Sequence, residues 1–175
     1  MKPAVQPTIH NRLLNIIFFL ALLIFMVIAV SVSVYPENSF DSHVRAQTHF
    51  LADPGLLPFW IRLTFLGSFE FLFPTWIIFI LIITWKRKMR YGLSIAGLAI
   101  GGFLSVQLLK QIFHRHRPPA PLVPNVIDYS FPSGHSTCSL IFCAVLMYGL
   151  WHSNAPRPLR IAGMILLMLL IGSIG

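Results

Sequence analysis

The sequence predicts an all-α fold, a polytopic bundle of transmembrane helices, and two observations support this prediction. Hydrophobic residues make up 56% of the 175 residues and charged residues only 10%, whereas apolar residues account for roughly half of an ordinary soluble domain. The hydrophobic residues are also gathered into five long runs, and a run of roughly 17–25 apolar residues is typical of a membrane-spanning helix. We therefore expect a single membrane-embedded domain over residues 1–175.

The five apolar runs are the elements of this bundle. They cover approximately residues 13–34, 69–85, 92–109, 136–151 and 159–174, of which the last two are short for a full crossing. Lys2 and Arg12 precede the first run, as basic residues precede the apolar core of a signal peptide. The first run is longer than the roughly 7–15 apolar residues of a signal peptide, however, and no small-residue cleavage site follows it. A membrane span is therefore favoured, with a cleaved signal peptide as the alternative.

Basic residues lie in short clusters between the runs and predict the topology. Four positive charges separate the second and third runs, two arginines separate the fourth and fifth, and two basic residues precede the first. Because short basic loops tend to stay in the cytoplasm, the amino terminus should be cytoplasmic, and residues 35–68 and 110–135 should face outward. This pattern also accounts for the formal net charge of +8 without a continuous basic face for nucleic acid.

The first outward segment contains most of the acidic residues. A short interfacial helix is expected at residues 41–51, because the turn signal Asp53-Pro54-Gly55 follows it. Arg62 and Glu70 flank the start of the second run. They are expected either to form a partly buried ion pair or to contact lipid headgroups.

Small residues in the third and fourth runs predict how these helices pack. Gly97-x-x-x-Gly101, followed by Gly102, predicts the close approach of another helix. Cys138 and Cys143 lie five residues apart and do not share a helix face, so core packing is favoured over a disulfide or a metal pair.

The second outward segment begins with a basic cluster at the end of the third run. Lys110 is followed by Arg115 and Arg117, and a proline-rich loop comes next. A single basic residue at this depth usually only extends its charged end to the lipid headgroups. The positive-inside tendency does not account for basic residues on the outer side of the membrane. Three cations close together there can instead bind one dianion.

The same segment ends in Pro132-Ser133-Gly134-His135, immediately before the fourth run. Proline followed by small residues is typical of a helix start, where free N–H groups and the positive end of the helix dipole favour an anion. Ser133 can donate a hydrogen bond, Gly134 permits close backbone approach, and His135 can supply a proton. Together with the basic cluster, these residues predict a phosphate-binding site.

The two clusters resemble the first two signature motifs of the type 2 phosphatidic acid phosphatase family. That family includes bacterial lipid pyrophosphate phosphatases and shares a helical core with vanadium haloperoxidases. The resemblance rests on Lys110-x6-Arg117-Pro118 and Pro132-Ser133-Gly134-His135, in this order and on either side of one loop.

The resemblance implies a role for each matching residue. Lys110 and Arg117 would bind phosphoryl oxygens, and the other arginine of the cluster would support them. Ser133 and the Gly134 N–H would hydrogen-bond the phosphate, and His135 would be the general acid that protonates the leaving oxygen. Hydrogen-bond donors directed at the charge that develops during phosphoryl transfer usually make the largest single contribution to catalysis. The family requires no metal and no other cofactor.

The sequence departs from the family at the third motif, a Ser-Arg pair followed by a nucleophilic histidine and an aspartate. No Ser-Arg pair is present, and His152 is the only histidine after His135. We therefore expect a carboxy-terminally incomplete chain, with five of six spans, that turns over little or no substrate. His114 and His116 remain alternatives as a replacement nucleophile or, with His135, as metal ligands, and Asp128 either orients His135 or is solvated or capping.

These observations favour a lipid-phosphate phosphatase that acts on a phosphomonoester or a polyprenyl diphosphate at the outer face of the membrane. The alternative is a non-catalytic membrane protein that binds lipid headgroups or interacts with other proteins. A transporter has less support, because the runs show no internal repeat and no charge at mid-depth. A missing sixth span would expose a seam to lipid and favour a homo-oligomer.

Overall fold

The computed structural model describes residues 9–35, 39–48, 53–86, 89–117 and 128–174. These residues form helices joined by short turns and contain no strand, which confirms the all-α prediction. Within them, five helical stretches are long and apolar enough to cross a membrane, which confirms the multi-pass prediction.

Seven helices follow one another along the described chain. They are α1 (Ile9–Val34), α2 (Ser39–Thr48), α3 (Leu57–Phe65), α4 (Phe69–Lys86), α5 (Met89–Phe113), α6 (Gly134–Trp151) and α7 (Arg157–Ile174). Five of these correspond to the predicted spans, and α2 confirms the short helix expected after the first span. The sequence did not predict α3, which begins with a proline in its first turn; proline is favoured there because the missing N–H has no partner within a helix.

The chain divides into two compact units, Met1–Ala46 and Gln47–Gly175. The first unit contains α1, in which the Ser33 hydroxyl donates a hydrogen bond of 2.8 Å to the Ala29 carbonyl one turn earlier. Most large apolar side chains of α1 are exposed. Such exposure is what a lipid-facing helix requires, because lipid rather than water is the surrounding solvent.

The second unit packs α4 against α5, α5 against α6, and α6 against α7. Its centre is aromatic: the rings of Trp76 and Phe142 lie 4.9 Å apart, edge to face, with Phe79 6.1 Å from Phe142. Val106 and Cys143 are also buried in this unit, each only 2% exposed. The burial of Cys143 as a free thiol agrees with its predicted role in core packing.

Close helix approach occurs at Gly102, not at the two glycines of the predicted motif. A Cβ atom on Gly102 would lie 2.2 Å from the Ile141 Cδ1 atom of α6. In contrast, no described atom of the second unit lies within 4 Å of a Cβ atom built on Gly97 or Gly101. The packing prediction is therefore wrong for Gly97 and Gly101 within this unit, because their side of α5 does not face α6.

One end of the second unit gathers the start of α4, the end of α5, the start of α6 and the end of α7. A Cβ atom on Gly67, in the turn between α3 and α4, would lie 2.6 Å from the Ile174 Cγ2 atom, 2.8 Å from the Ser139 Oγ atom and 3.4 Å from the His135 Cβ atom. Only a residue without a side chain fits this contact. The helices therefore alternate in direction and bring the predicted site residues to one end.

Candidate functional site

Lys110 is buried in the last turn of α5. Only 3% of the residue is exposed, which is rare for a lysine without a partner. Its Nζ atom forms an ion pair with the Oδ2 atom of Asp128, a residue of the segment that returns to α6. The sequence suggested that Asp128 orients His135 or is solvated or capping; instead, it neutralises the buried lysine.

Two short segments lie side by side next to this ion pair. Residues 114–117 leave α5, and residues 128–131 return toward α6. The Ser130 N–H donates to the Arg115 carbonyl at 2.9 Å, and its hydroxyl lies 3.1 Å from the carbonyl oxygens of both Arg115 and His116. The Arg117 Nε atom donates to the Asp128 carbonyl at 3.0 Å. We call these paired segments the loop base.

Aromatic and imidazole rings also pack across the loop base. Phe113 and Phe131 lie 5.1 Å apart, and the Tyr129 ring lies 4.9 Å from His114 and 5.9 Å from His116. His114 has a φ of 46°, so α5 ends there in a left-handed residue, a common helix terminator. The two histidines thus contact Tyr129 in the structure.

The metal site considered from the sequence does not form in the described part of the chain. No three His, Cys, Asp or Glu side chains come together there as metal ligands would. His114, His116 and His135 therefore do not make up the set that was considered as an alternative.

The amino terminus of α6 is capped by Ser133. Its backbone is extended, with φ −66° and ψ 119°, and its Oγ atom accepts a hydrogen bond of 3.3 Å from the Ser136 N–H. The Ser136 hydroxyl also donates to this oxygen at 2.8 Å. Gly134 and His135 then occupy the first turn, whose amides have no acceptor within the helix. A helix start with free N–H groups is favourable for an anion.

The two predicted motifs meet at Gly134. A Cβ atom built on this glycine would lie 3.9 Å from the Lys110 Nζ atom and 3.8 Å from the Val106 Cγ1 atom. The lysine ammonium group is therefore adjacent to the first turn of α6, although a loop separates the two motifs in sequence. This contact places a cation and free helix amides together, which is the arrangement that phosphoryl oxygens require.

His135 is exposed beside this contact and has three charged neighbours. It interacts electrostatically with Glu70, Arg117 and Lys110. The structure therefore brings Lys110, Arg117 and His135 into one electrostatic cluster. Arg115 is half-buried, and its carbonyl accepts hydrogen bonds in the loop base.

For Arg62 and Glu70 the sequence left two alternatives, a partly buried ion pair or contact with lipid headgroups. No Arg62–Glu70 ion pair forms among the described residues. Glu70 lies in the first turn of α4, where unpaired N–H groups favour a carboxylate. Glu70 is also one of the charged residues that interact electrostatically with His135.

Comparisons with protein-family models, curated proteins and solved structures return no match for this chain. The family resemblance therefore depends on the two motifs themselves.

Proposed function

We propose that this chain is a membrane phosphatase of the lipid-phosphate class, whose site binds the terminal phosphate of a lipid phosphomonoester or a polyprenyl diphosphate. The supporting observation is the contact between the Lys110 ammonium group and the first turn of α6 at Gly134. A buried cation and unpaired helix amides at one point suit a small, multiply charged anion better than any neutral ligand.

Each residue of the cluster has a role in this proposal. Lys110 and Arg117, supported by Arg115, bind the phosphoryl oxygens. The Ser133 hydroxyl and the Gly134 N–H complete the donor set around the phosphate, and donors fixed before the reaction stabilise developing charge without reorganisation.

His135 is the proposed general acid. In the reaction, a nucleophile forms a bond to phosphorus, the bond between phosphorus and the leaving oxygen breaks, and His135 gives its proton to that oxygen. The resemblance assigns the nucleophile to a histidine of the third motif, which residues 1–175 lack. We therefore expect phosphate binding but little or no turnover from this chain alone.

The proposed site lies on the outer side of the membrane. The opposite end of the second unit carries the exposed basic residues Lys86, Arg90 and Arg157, and clusters of this kind are retained in the cytoplasm. Single cysteines introduced at exposed Arg117 and exposed Lys86 test this in intact cells with a membrane-impermeant thiol reagent. Labelling of position 117 alone is expected, whereas labelling of position 86 alone would contradict the proposed side.

The function is tested by phosphate binding and phosphate release on the purified chain in a non-ionic detergent. Wild-type protein is expected to bind inorganic phosphate, and Lys110→Met to lose this binding. Lys86→Met removes an equal charge from the other end of the unit and should bind as wild type. Equal binding by all three proteins would contradict a phosphate site at Lys110.

Phosphate release from a short-chain phosphatidic acid or a polyprenyl diphosphate, measured with a metal chelator present, tests the chemistry. Turnover that His135→Ala abolishes would support the phosphatase assignment and contradict the expected inactivity of this chain. Phosphate binding without turnover is also what the alternative function predicts, a non-catalytic membrane protein that binds lipid headgroups.

A further inference from the structure

Asp128 contacts both cations of the first motif. Its carboxylate forms the ion pair with the Lys110 ammonium group, and its carbonyl accepts the hydrogen bond from the Arg117 Nε atom at 3.0 Å. The sequence did not assign this role to Asp128, which was expected to act on His135 or on solvent. The cations thought to receive a phosphate are therefore already bound to an acidic residue of the same chain.

We propose that Asp128 is an internal counter-ion of Lys110 that a bound phosphate displaces, so that phosphate and the Asp128 carboxylate compete for the same ammonium group. This inference rests on the proposed function, because it assumes a phosphate at Lys110. It goes beyond that function by assigning to the chain an autoinhibitory contact.

Lys110 and Asp128 differ in exposure, and this difference indicates which of them leaves the ion pair when phosphate binds. The Lys110 side chain is 4% exposed, whereas the Asp128 side chain is 47% exposed. A buried cation needs an anionic partner at all times, because an unpaired charge in a desolvated position is costly. A half-exposed carboxylate, in contrast, regains water when it is released. Lys110 therefore stays in place, and the anion beside it changes.

The loop base allows phosphate to replace the Asp128 carboxylate without movement of the backbone. The Arg117 side chain holds the Asp128 carbonyl, and Ser130 is bonded to the carbonyls of Arg115 and His116. Because its own carbonyl and Ser130 two residues later are held by these bonds, Asp128 releases Lys110 by rotating its side chain. The cations of the site are then not displaced when the carboxylate leaves.

Asp128→Asn tests the competition, since it keeps the shape of the side chain and removes its charge. Binding of inorganic phosphate is measured by titration in non-ionic detergent at constant ionic strength. We expect phosphate to bind about tenfold more tightly to the variant, because it no longer has to displace a carboxylate; a tenfold change corresponds to about 1.4 kcal/mol. Asp53→Asn is the matched control, because Asp53 is exposed and, among the described residues, its carboxylate accepts a hydrogen bond from the nearby Gly55 N–H at 2.8 Å.

Stability provides a second readout. Without phosphate, Asp128→Asn should unfold several degrees below wild type, because Lys110 loses its partner. Saturating phosphate should raise the unfolding temperature of the variant more than that of wild type, since phosphate replaces the missing charge. In Lys110→Met, Asp128→Asn should no longer improve phosphate binding.

Carboxylate labelling tests the exchange in the unmodified protein. A carbodiimide and an amine convert accessible carboxylates to amides, which mass spectrometry locates. Phosphate should raise the labelling of Asp128 relative to Asp53. The inference is overturned if Asp128→Asn binds phosphate no more tightly than wild type, or if phosphate leaves the labelling ratio unchanged. If neither wild type nor Asp128→Asn binds phosphate, the proposed site is overturned as well. If wild type binds phosphate and the variant binds it no more tightly, only this inference is overturned.

Discussion

The Nζ atom of Lys110 lies 3.9 Å from the place that a Cβ atom would occupy on Gly134. This contact joins the end of α5 to the start of α6 and makes one cluster of two short motifs. In this cluster Lys110 supplies a charge, and Ser133 supplies the helix cap. The following predictions separate these contributions.

Lys110→Met should remove phosphate binding with little loss of stability. Methionine keeps most of the apolar stem that packs in the buried position, and the half-exposed Asp128 returns to solvent. A hydrogen bond to a charged group contributes about 1.5–3 kcal/mol, so phosphate should bind at least about tenfold more weakly. Titration with inorganic phosphate and thermal unfolding in detergent measure the two effects. A large loss of stability with unchanged binding would mean that Lys110 is structural.

Substitutions at Ser133 should separate helix capping from phosphate binding. Ser133→Ala removes the acceptor of the Ser136 N–H and should cost about 1 kcal/mol of unfolding free energy. Ser133→Asp restores a good cap and should recover most of that stability. Its carboxylate repels phosphate, however, so phosphate should bind more weakly than to Ser133→Ala. If Ser133→Asp bound phosphate as well as wild type, the ligand would not lie at the start of α6.

Ser130→Ala should loosen the loop base and weaken phosphate binding indirectly. The variant loses the hydroxyl contacts with the Arg115 and His116 carbonyls but keeps the backbone hydrogen bond to Arg115. We expect a loss of about 0.5–1.5 kcal/mol of unfolding free energy and a several-fold rise in the phosphate Kd. Ser105→Ala is the control, since in the described part of the chain the Ser105 hydroxyl donates to the Gly101 carbonyl one turn earlier and lies outside the loop base. Phosphate affinity equal to wild type would show that the loop base does not position the cations.

Gly67→Ala and Gly97→Ala should change stability in opposite directions. An added methyl group at Gly67 meets Ile174 at 2.6 Å and Ser139 at 2.8 Å, and overpacking of this kind costs about 1–3 kcal/mol. At Gly97 no described atom of the second unit is within 4 Å, so alanine should stabilise helix α5 by about 0.5–1 kcal/mol. Thermal unfolding in detergent measures both variants. A loss of stability in Gly97→Ala that grows with protein concentration would instead place Gly97 in contact with a second copy.

The membrane-spanning helices could be predicted from the sequence because a helix that faces lipid needs a long run of hydrophobic residues. The ends of α4, α6 and α7 lie within two residues of the predicted runs, for example 136–151 against Gly134–Trp151. Helix α3 was missed because Pro54, Gly55 and Pro58 predict a turn, although a proline in the first turn also begins a helix.

The site was only partly predictable, because motif residues can be recognised from the sequence but their ionic partners cannot. Lys110 and Ser133–Gly134 were identified from residue type and spacing, and the structure brings Lys110 and Gly134 together. The partner of Lys110 is Asp128, on the other side of the loop, and no periodicity connects two such positions. An ion pair with Arg62 was one of two alternatives for Glu70, whereas the structure places Glu70 among the charged groups that interact with His135.

The loop base fixes both ends of residues 118–127 independently of their sequence. Ser130 and Arg117 secure the two sides through backbone carbonyls, and such bonds do not depend on the identity of the residue that accepts them. Closing a somewhat longer loop between fixed ends costs little free energy. Insertions or exchanges in this stretch should therefore leave the cation cluster intact.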